Sequence, residues 1–261
     1  MKIATWNING VKARINVVLQ WLEDAQPDIA CFQEIKSIDE GFPAGKFEDI
    51  GYNVTVHGQK GFNGVAIISK MPLEDVRRGL PGNEDDPQAR YLEGLAITPE
   101  MSVRVASIYL PNGNPVATEK FPYKLDWIGH LEKHAQDLLV LEEPLLLAGD
   151  YNIIPEPIDC YDPAAWQDDA LYQPQSRDAF KRMKNIGFVD AVRACEPGSD
   201  VYTFWDYQAG AWQKNNGIRI DHILLSAQAS DRLRSCGIDK HTRSWEKPSD
   251  HVPVWVEIAS D

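Results

Sequence analysis

Hydrophobic residues follow two periods along this chain. Ten short segments read as strands: residues 2–8, 28–35, 52–56, 64–69, 91–98, 103–110, 145–148, 202–206, 219–225 and 252–258. The first alternates and is rich in β-branched residues, whereas 29–32 and 145–148 are apolar at every position, as strands buried on both faces are. Three stretches keep a helical face instead. Ile15, Val18, Leu19 and Leu22 form one, and Phe121, Leu125, Ile128, Leu131, Ala135 and Leu138 form a longer second. Phe180, Met183 and Ile186 form a third, with Ser176 as its expected cap and Gly187 as its end. Strands throughout, with helices interspersed, predict an α/β domain whose sheets are covered on both sides. Two packed sheets flanked by helices fit that count.

Length and composition narrow the class. The 261 residues suit one large domain, and residues 1–261 are read as one, without repeat, linker or low-complexity tract. Apolar residues at 43% and charged residues at 25% are ordinary for a globular chain. No run approaches the ~18 consecutive apolar residues that span a membrane. Met1-Lys2 leads straight into the first alternation, without a signal-peptide pattern. Cys31, Cys160, Cys195 and Cys236 form no Cys-x-x-Cys pair, so reduced thiols in a cytoplasmic protein are expected. Cys31 lies in an apolar run and reads as a core residue.

The net charge of −13 weighs against tight nonspecific binding of nucleic acid, which needs Lys and Arg to neutralise phosphates. Its distribution softens the objection. Residues 201–251 carry seven Lys/Arg against six Asp/Glu, so the acidic excess lies elsewhere. A bound divalent metal would shift the local sign further.

Polar residues follow directly on several apolar runs. Ile3 to Trp6 leads to Asn7 and Asn9, Ile29 to Phe32 to Gln33-Glu34, Leu145 to Gly149 to Asp150 and Asn152. Ser249-Asp250-His251 precedes Val252-Pro253-Val254. Taken singly, Asp150 reads equally as a turn residue, Glu34 as a solvated strand end, and Asp250-His251 as a loop. Asp221 is different, because it interrupts the apolar run Ile218 to Leu225, and a buried carboxylate needs a charged or hydrogen-bonding partner. Together the set makes a hard, oxygen-rich site that suits Mg²⁺, with Mn²⁺ able to substitute, rather than zinc. One histidine among several carboxylates fits metal-assisted phosphodiester hydrolysis. No Ser or Cys sits in a nucleophile elbow, so water is the expected attacker. The glycines match neither a phosphate-binding loop nor a dinucleotide fingerprint.

Seven short motifs carry a resemblance: Trp6-Asn7-Ile8-Asn9-Gly10, Gln33-Glu34, Gly64-Val65-Ala66, Tyr109-Leu110-Pro111-Asn112-Gly113, Gly149-Asp150-Tyr151-Asn152, Gly217-Ile218-Arg219-Ile220-Asp221 and Ser249-Asp250-His251. In this order, spanning nearly the whole chain, they resemble the exonuclease III and abasic-site endonuclease family of the endonuclease/exonuclease/phosphatase superfamily. The resemblance implies a DNase I-like four-layer sandwich of two mixed β-sheets flanked by helices, with the motifs on loops at one edge. It implies that Glu34 binds the metal, with Asn7 bonding nearby or ligating. Asp150 would orient or deprotonate the water, and Asn152 and Tyr109 would hold the scissile phosphate. His251 would contact a phosphate oxygen or act as acid or base, oriented by Asp221, while Asp250 completes the carboxylate cluster. Asp150, Asn152 and His251 would thus lie within reach of the metal.

The same resemblance places Phe204, Ile218 and Ile220 at a pocket for a base-free sugar turned out of the helix. Strand-core packing is the bland reading of all three. Arg90 and Lys120 fall at phosphate-contacting positions, or are ordinary solvated cations. Trp212 wedges into DNA or simply packs. Asn9 stands where some relatives carry Asp, and the segment 155–174 matches nothing in the pattern. The implied substrate is double-stranded DNA with abasic sites or blocked 3′ ends, cut by a monomer away from any membrane. A phospholipid or inositol-phosphate hydrolase on the same fold, and an inactive DNA- or protein-binding scaffold, are the competing classes.

Overall fold

A computed structural model describes residues 1–260. In chain order the elements are β1 (Lys2–Asn7), α1 (Val11–Ala25), β2 (Ile29–Gln33), α2 (Ala44–Glu48), β3 (Asn53–His57), β4 (Val65–Ser69), β5 (Leu73–Arg78), β6 (Tyr91–Ile97), β7 (Ser102–Tyr109), α3 (Lys120–Leu139), β8 (Leu145–Asp150), α4 (Pro174–Asn185), β9 (Val189–Asp190), α5 (Ala191–Cys195), β10 (Asp221–Leu225), α6 (Ala227–Ser230), β11 (Leu233–Ile238) and β12 (Val254–Ile258). They make two six-stranded sheets, ordered β11-β12-β1-β2-β4-β3 and β5-β6-β7-β8-β10-β9. Each sheet is mixed: β1–β2 and β7–β8 are parallel and their other pairings antiparallel.

Strand alternation divides the apolar residues among three cores. Ile3, Ile29, Cys31, Val105, Leu146, Ala148 and Ile223 point between the sheets. Ala4, Trp6, Ala30 and Phe32 point outward from the first sheet, against Val18, Trp21 and Leu22 of α1. Leu145 and Leu147 point outward from the second, against Trp127, Ile128 and Leu131 of α3 and Phe180 of α4. The central strands are therefore apolar on both faces, and the expected four-layer sandwich of two mixed β-sheets flanked by helices is the architecture observed. All four cysteines are free.

Three local expectations change. Residues 202–206 form no strand; Phe204 makes isolated bridges to Ile218 and to His251. Main-chain groups explain it: Thr203 and Phe204 N–H both donate to Ile218 O, and Trp205 N–H donates to Asp250 O. The segment is a clip between the lead-ins to β10 and β12. Ser176 is not the cap of α4. Gln173 holds that position, Pro174 opens the helix, and Ser176 Oγ donates to Ala170 O at 2.7 Å within the first turn. Strands β5, β9 and β11 escape the sequence reading, although the edge strand β3 does not; polar residues interrupt β5 and β11, and β9 spans two residues. β5 carries Glu74, Asp75, Arg77 and Arg78 toward solvent and shows no sustained apolar alternation.

Candidate active site

One edge of the sandwich collects the polar ends of both sheets. Asn7 ends β1, Glu34 follows β2, Tyr109 ends β7, Asp150 ends β8, Asp221 opens β10 and His251 precedes β12. Pairing fixes their heights, since Tyr109 lies opposite Asp150 and Asp150 opposite Asp221. The two sheets are tied beneath the site by buried polar groups. Gln33 Nε2 reaches Thr5 Oγ1 and Ser107 Oγ at 3.0 Å each, and Ser107 Oγ donates to Phe32 O at 3.0 Å.

Asn7 is the bridge between the sheets' carboxylates. Its Nδ2 donates to Glu34 Oε1 and to Asp150 Oδ2, both at 2.9 Å, while its Oδ1 accepts from Asn9 N–H at 3.0 Å. The amide thus turns its nitrogen toward the carboxylates. Tyr109 OH donates to Glu34 Oε1 at 2.8 Å. Lys36 Nζ lies 2.9 Å from Glu34 Oε2. Burial alone would raise the Glu34 pKa, but the Asn7 hydrogen bond and the Lys36 charge overcome it and hold the carboxyl below its ordinary value. Burial pushes the Tyr109 phenol well up, helped by Glu34 and Asp150, so it remains a donor.

Asp150, Asp221 and His251 form the buried centre, each offering one ligand atom within 4.8 Å of the others. His251 Nδ1 is 2.9 Å from Asp221 Oδ2, and His251 Nε2 is 3.7 Å from Asp150 Oδ2. Burial would lower the imidazole pKa, but Asp221 first and Asp150 second reverse it and favour imidazolium. The imidazole thus sits between two carboxyl groups. Asp221, with the shorter contact, takes the histidine. Burial raises the Asp150 pKa, and His251 and Asn7 only partly offset the effect. Oxygen donors from both sheets, a single imidazole and no thiolate fit a hard divalent cation.

The structure brings other expected residues to the same edge in different relations. Asn152, in left-handed backbone with φ of 48°, donates Nδ2 to Leu110 O at 2.9 Å and its N–H to Asp150 Oδ1 at 2.9 Å. Asp250 stands apart from the buried trio, its Oδ1 accepting from Asn9 Nδ2 at 3.0 Å. Asn9 in turn accepts from Lys36 Nζ at 2.6 Å, so it links Asp250 to the Glu34 side. Asn9, Glu34, Lys36 and Asn152 all have φ between 47° and 52°. Such conformations cost on the order of 1 kcal/mol each for residues with a side chain, and they gather here because the loops must turn polar groups back over the strand ends.

Phe204, Ile218 and Ile220 do meet. They pack with Ile154, Cys160 and Leu171 in a satellite cluster, and the Phe204 ring meets His251 edge-on at 4.9 Å. The segment 155–174 supplies the second wall, with Trp166 and Tyr172. It is pinned by Asp159, which accepts from Arg219 Nε at 2.7 Å and also pairs with Arg193. Arg90 and Lys120 line one groove of about 290 Å³ together with Asn112 and Tyr123. Arg90 stacks on Tyr109 at 4.8 Å and bonds its carbonyl at 3.2 Å. Trp212, half-buried, lies edge-on against Trp205 at 4.9 Å. Sequence reading passed over Lys36 and Lys124. The second carried a signal, because a lysine three residues after Phe121 and four before Ile128 falls on the inward face of α3.

Comparison with known proteins settles the family. The endonuclease/exonuclease/phosphatase family model matches residues 4–251. This chain belongs to the endonuclease/exonuclease/phosphatase family. Within it, the chain is 35% identical to exodeoxyribonuclease III of Haemophilus influenzae, over 99% of this chain and 100% of that one. The fold superimposes on a 3′ phosphatase from Neisseria bound to a product DNA hairpin, with a TM-score of 0.95 and 37% identity over 99% of both chains. An AP endonuclease from Archaeoglobus fulgidus gives a TM-score of 0.94 and 36% identity, again over 99% of both. The family is one of metal-dependent nucleases, and the trio of Asp150, Asp221 and His251 is an acidic cluster able to hold an ion. Among the described residues no helix is long and apolar enough to cross a membrane.

Proposed function

We propose that this protein is a magnesium-dependent phosphodiesterase of DNA repair, cutting duplex DNA 5′ to abasic sites, trimming blocked 3′ ends and removing nucleotides 3′ to 5′. It acts as one domain and a monomer in the cytoplasm. The observation that carries the reading is the continuous chain Glu34–Asn7–Asp150, with Asp221–His251 beside it, assembled from the strand ends of both sheets.

Each side chain has a role that suits its contacts. Glu34 and Asp150 would hold the cation, with Asn152, Asp250 and His251 within the same polar edge and Asn7 keeping the two carboxylates in register. When bound, the ion neutralises charge on the phosphate and stabilises the leaving oxygen. Asp150, whose burial raises its proton affinity, orients the water and accepts its proton. Asp221 keeps His251 as imidazolium with Nε2 directed into the site, ready to donate to a phosphate oxygen. Tyr109 and Asn152 hold the phosphate from the side of the second sheet. Phe204, Ile218 and Ile220 form an apolar wall that admits a base-free sugar, which flips at little cost because no base is unpaired. Arg90 and Lys120 meet phosphates of the flanking strand.

The test is cleavage of a labelled duplex with one abasic analogue beside an intact duplex, with magnesium and then with EDTA. Incision 5′ to the lesion, abolished by EDTA, is expected. Equal degradation of both duplexes from their 3′ ends would remove the abasic pocket but keep the chemistry. No cleavage of either would move the substrate to phospholipid or inositol phosphates.

A further inference from the structure

Beneath the site, α3 buries a charge. Lys124 has no exposed surface, and among the described residues no carboxylate forms an ion pair with it. Its Nζ donates instead to two main-chain carbonyls, Asn112 O at 3.0 Å and Asn152 O at 2.5 Å. The side chains of those two residues face each other, with Asn112 Nδ2 donating to Asn152 Oδ1 at 3.1 Å. The loop lies directly on the lysine stem: a Cβ on Gly113, whose φ is +90°, would come within 2.7 Å of Lys124 Cδ.

An ammonium bonded only to neutral carbonyls is expensive: burial pushes the Lys124 pKa down to about 7, with the charges of Asp150 and Asp169 offsetting only part of the effect. A methionine would fill the same space without that cost. What the ammonium adds is a clamp with two jaws, one on the loop after β7 and one on the turn after β8. The left-handed Asn152 is held from behind by Lys124 and from the side by Asn112 and Leu110.

We propose that Lys124 is a positioning residue for phosphate handling, locking Asn112 and Asn152 in the one register that presents the Asn152 amide to the scissile phosphate. The inference rests on the role given above to Asn152 and deepens it. Lys124 itself, fully buried, touches no substrate. Its removal should therefore slow the chemical step more than it weakens binding, since displacement of a positioning group by about 1 Å costs on the order of 100-fold in rate.

The experiment measures single-turnover and steady-state cleavage of an abasic duplex by Lys124→Met, Lys124→Ala and Gly113→Ala, with cooperative thermal unfolding as the check on folding. Lys124→Met should lose roughly 10- to 100-fold in kcat with KM within about twofold. Lys124→Ala should regain activity in propylammonium but not in potassium at equal ionic strength, because the cavity accepts the missing cation. Wild-type kcat in folded Lys124→Met would overturn the proposal, and so would a loss confined to KM, or a Lys124→Ala defect that the amine leaves untouched. If Lys124→Met does not fold, Gly113→Ala decides, since it keeps the lysine and lifts the loop from it; an unaltered kcat there overturns the proposal as well. Asp150→Asn is the control on the parent reading. Its remaining active would sink the site assignment, whereas an inactive Asp150→Asn beside a fully active Lys124→Met would sink the Lys124 inference alone.

Discussion

Asp221 Oδ2 lies 2.9 Å from His251 Nδ1, across the gap between β10 and the lead-in to β12, and both side chains are buried. The pair joins the two sheets at the edge proposed for the site, and the Asp221 charge is the largest of those that raise the imidazole's pKa. Asp221→Asn should keep the hydrogen bond's geometry and lose its charge. In metal-free protein the His251 pKa, held above its ordinary value by Asp221 and then Asp150, should fall by at least one unit in an NMR titration. Cleavage should drop on the order of 100-fold near neutral pH. An unmoved titration would show that Asp150 alone charges the imidazole.

Asp150 is held where its ionised form is unfavourable, so the role proposed for it and the stability of the fold oppose each other there. Its folded pKa lies above the unfolded value, so ionisation at neutral pH destabilises the metal-free fold. Asp150→Asn should abolish cleavage yet raise the unfolding midpoint in EDTA at pH 8, by roughly 1–3 kcal/mol of stability. Magnesium should stabilise the wild type more than the variant. A variant less stable than wild type in EDTA would contradict this.

His222 predicts the pH dependence of stability on the opposite side of β10. It is buried between Arg219 Nη1 at 3.0 Å and Ile153 O at 3.0 Å. Burial first, and the Arg219 charge second, lower its pKa to about 4. The unfolded chain takes up a proton below about pH 6.5 and the folded one does not, so stability falls as pH drops from there toward 4. The loss is on the order of 3 kcal/mol and should be visible in urea titrations; His222→Gln should flatten it. Asp159 and Asp190 add a second decline at lower pH. Burial opposes their ionisation, but Arg219 prevails and depresses both.

DNA affinity should fall with salt along a shallow slope, because few cations line the proposed path. Lys120 is exposed in the groove beside Asn112, and Lys120→Ala should reduce the slope of log K against log salt by about 1 without changing lesion preference. A wild-type slope steep enough to imply many phosphate contacts would refute the charge argument.

Gly149 should tolerate no side chain. It faces Ile108 across the parallel β7–β8 pair, and a Cβ would stand 2.0 Å from Ile108 O. That oxygen is backbone and cannot swing away. Gly149→Ala should cost more than about 3 kcal/mol and disturb Tyr109 and Asp150, each next to this pair. Denaturant unfolding checks it, and a loss below 1 kcal/mol would show that the two strands can part.

Much of this architecture is written locally. Apolar runs such as 145–148, bounded by turn residues, fit strands buried on both faces, because side chains on either face then need an apolar partner. The helical face of α3 is equally legible, and the polar residues directly after the strands mark the edge where the site lies. Strands β5 and β11 were not legible, since charged and small residues interrupt their apolar positions. Segment 202–206 has strand composition but spends its N–H groups on Ile218 and Asp250, a choice made only when both sheets are in place. Asp221 announced itself as a buried carboxylate needing a partner; that the partner is His251, 30 residues away, was decided by packing of the sheets. The same packing turned the Asn7 amide nitrogen toward two carboxylates and set Lys124 beneath the Asn112–Asn152 contact. Sequence determines which side chains emerge at a strand end, because alternation and turns are local. Only the tertiary structure decides which of them share charge and hydrogen bonds, because those depend on distances between strands far apart in the chain.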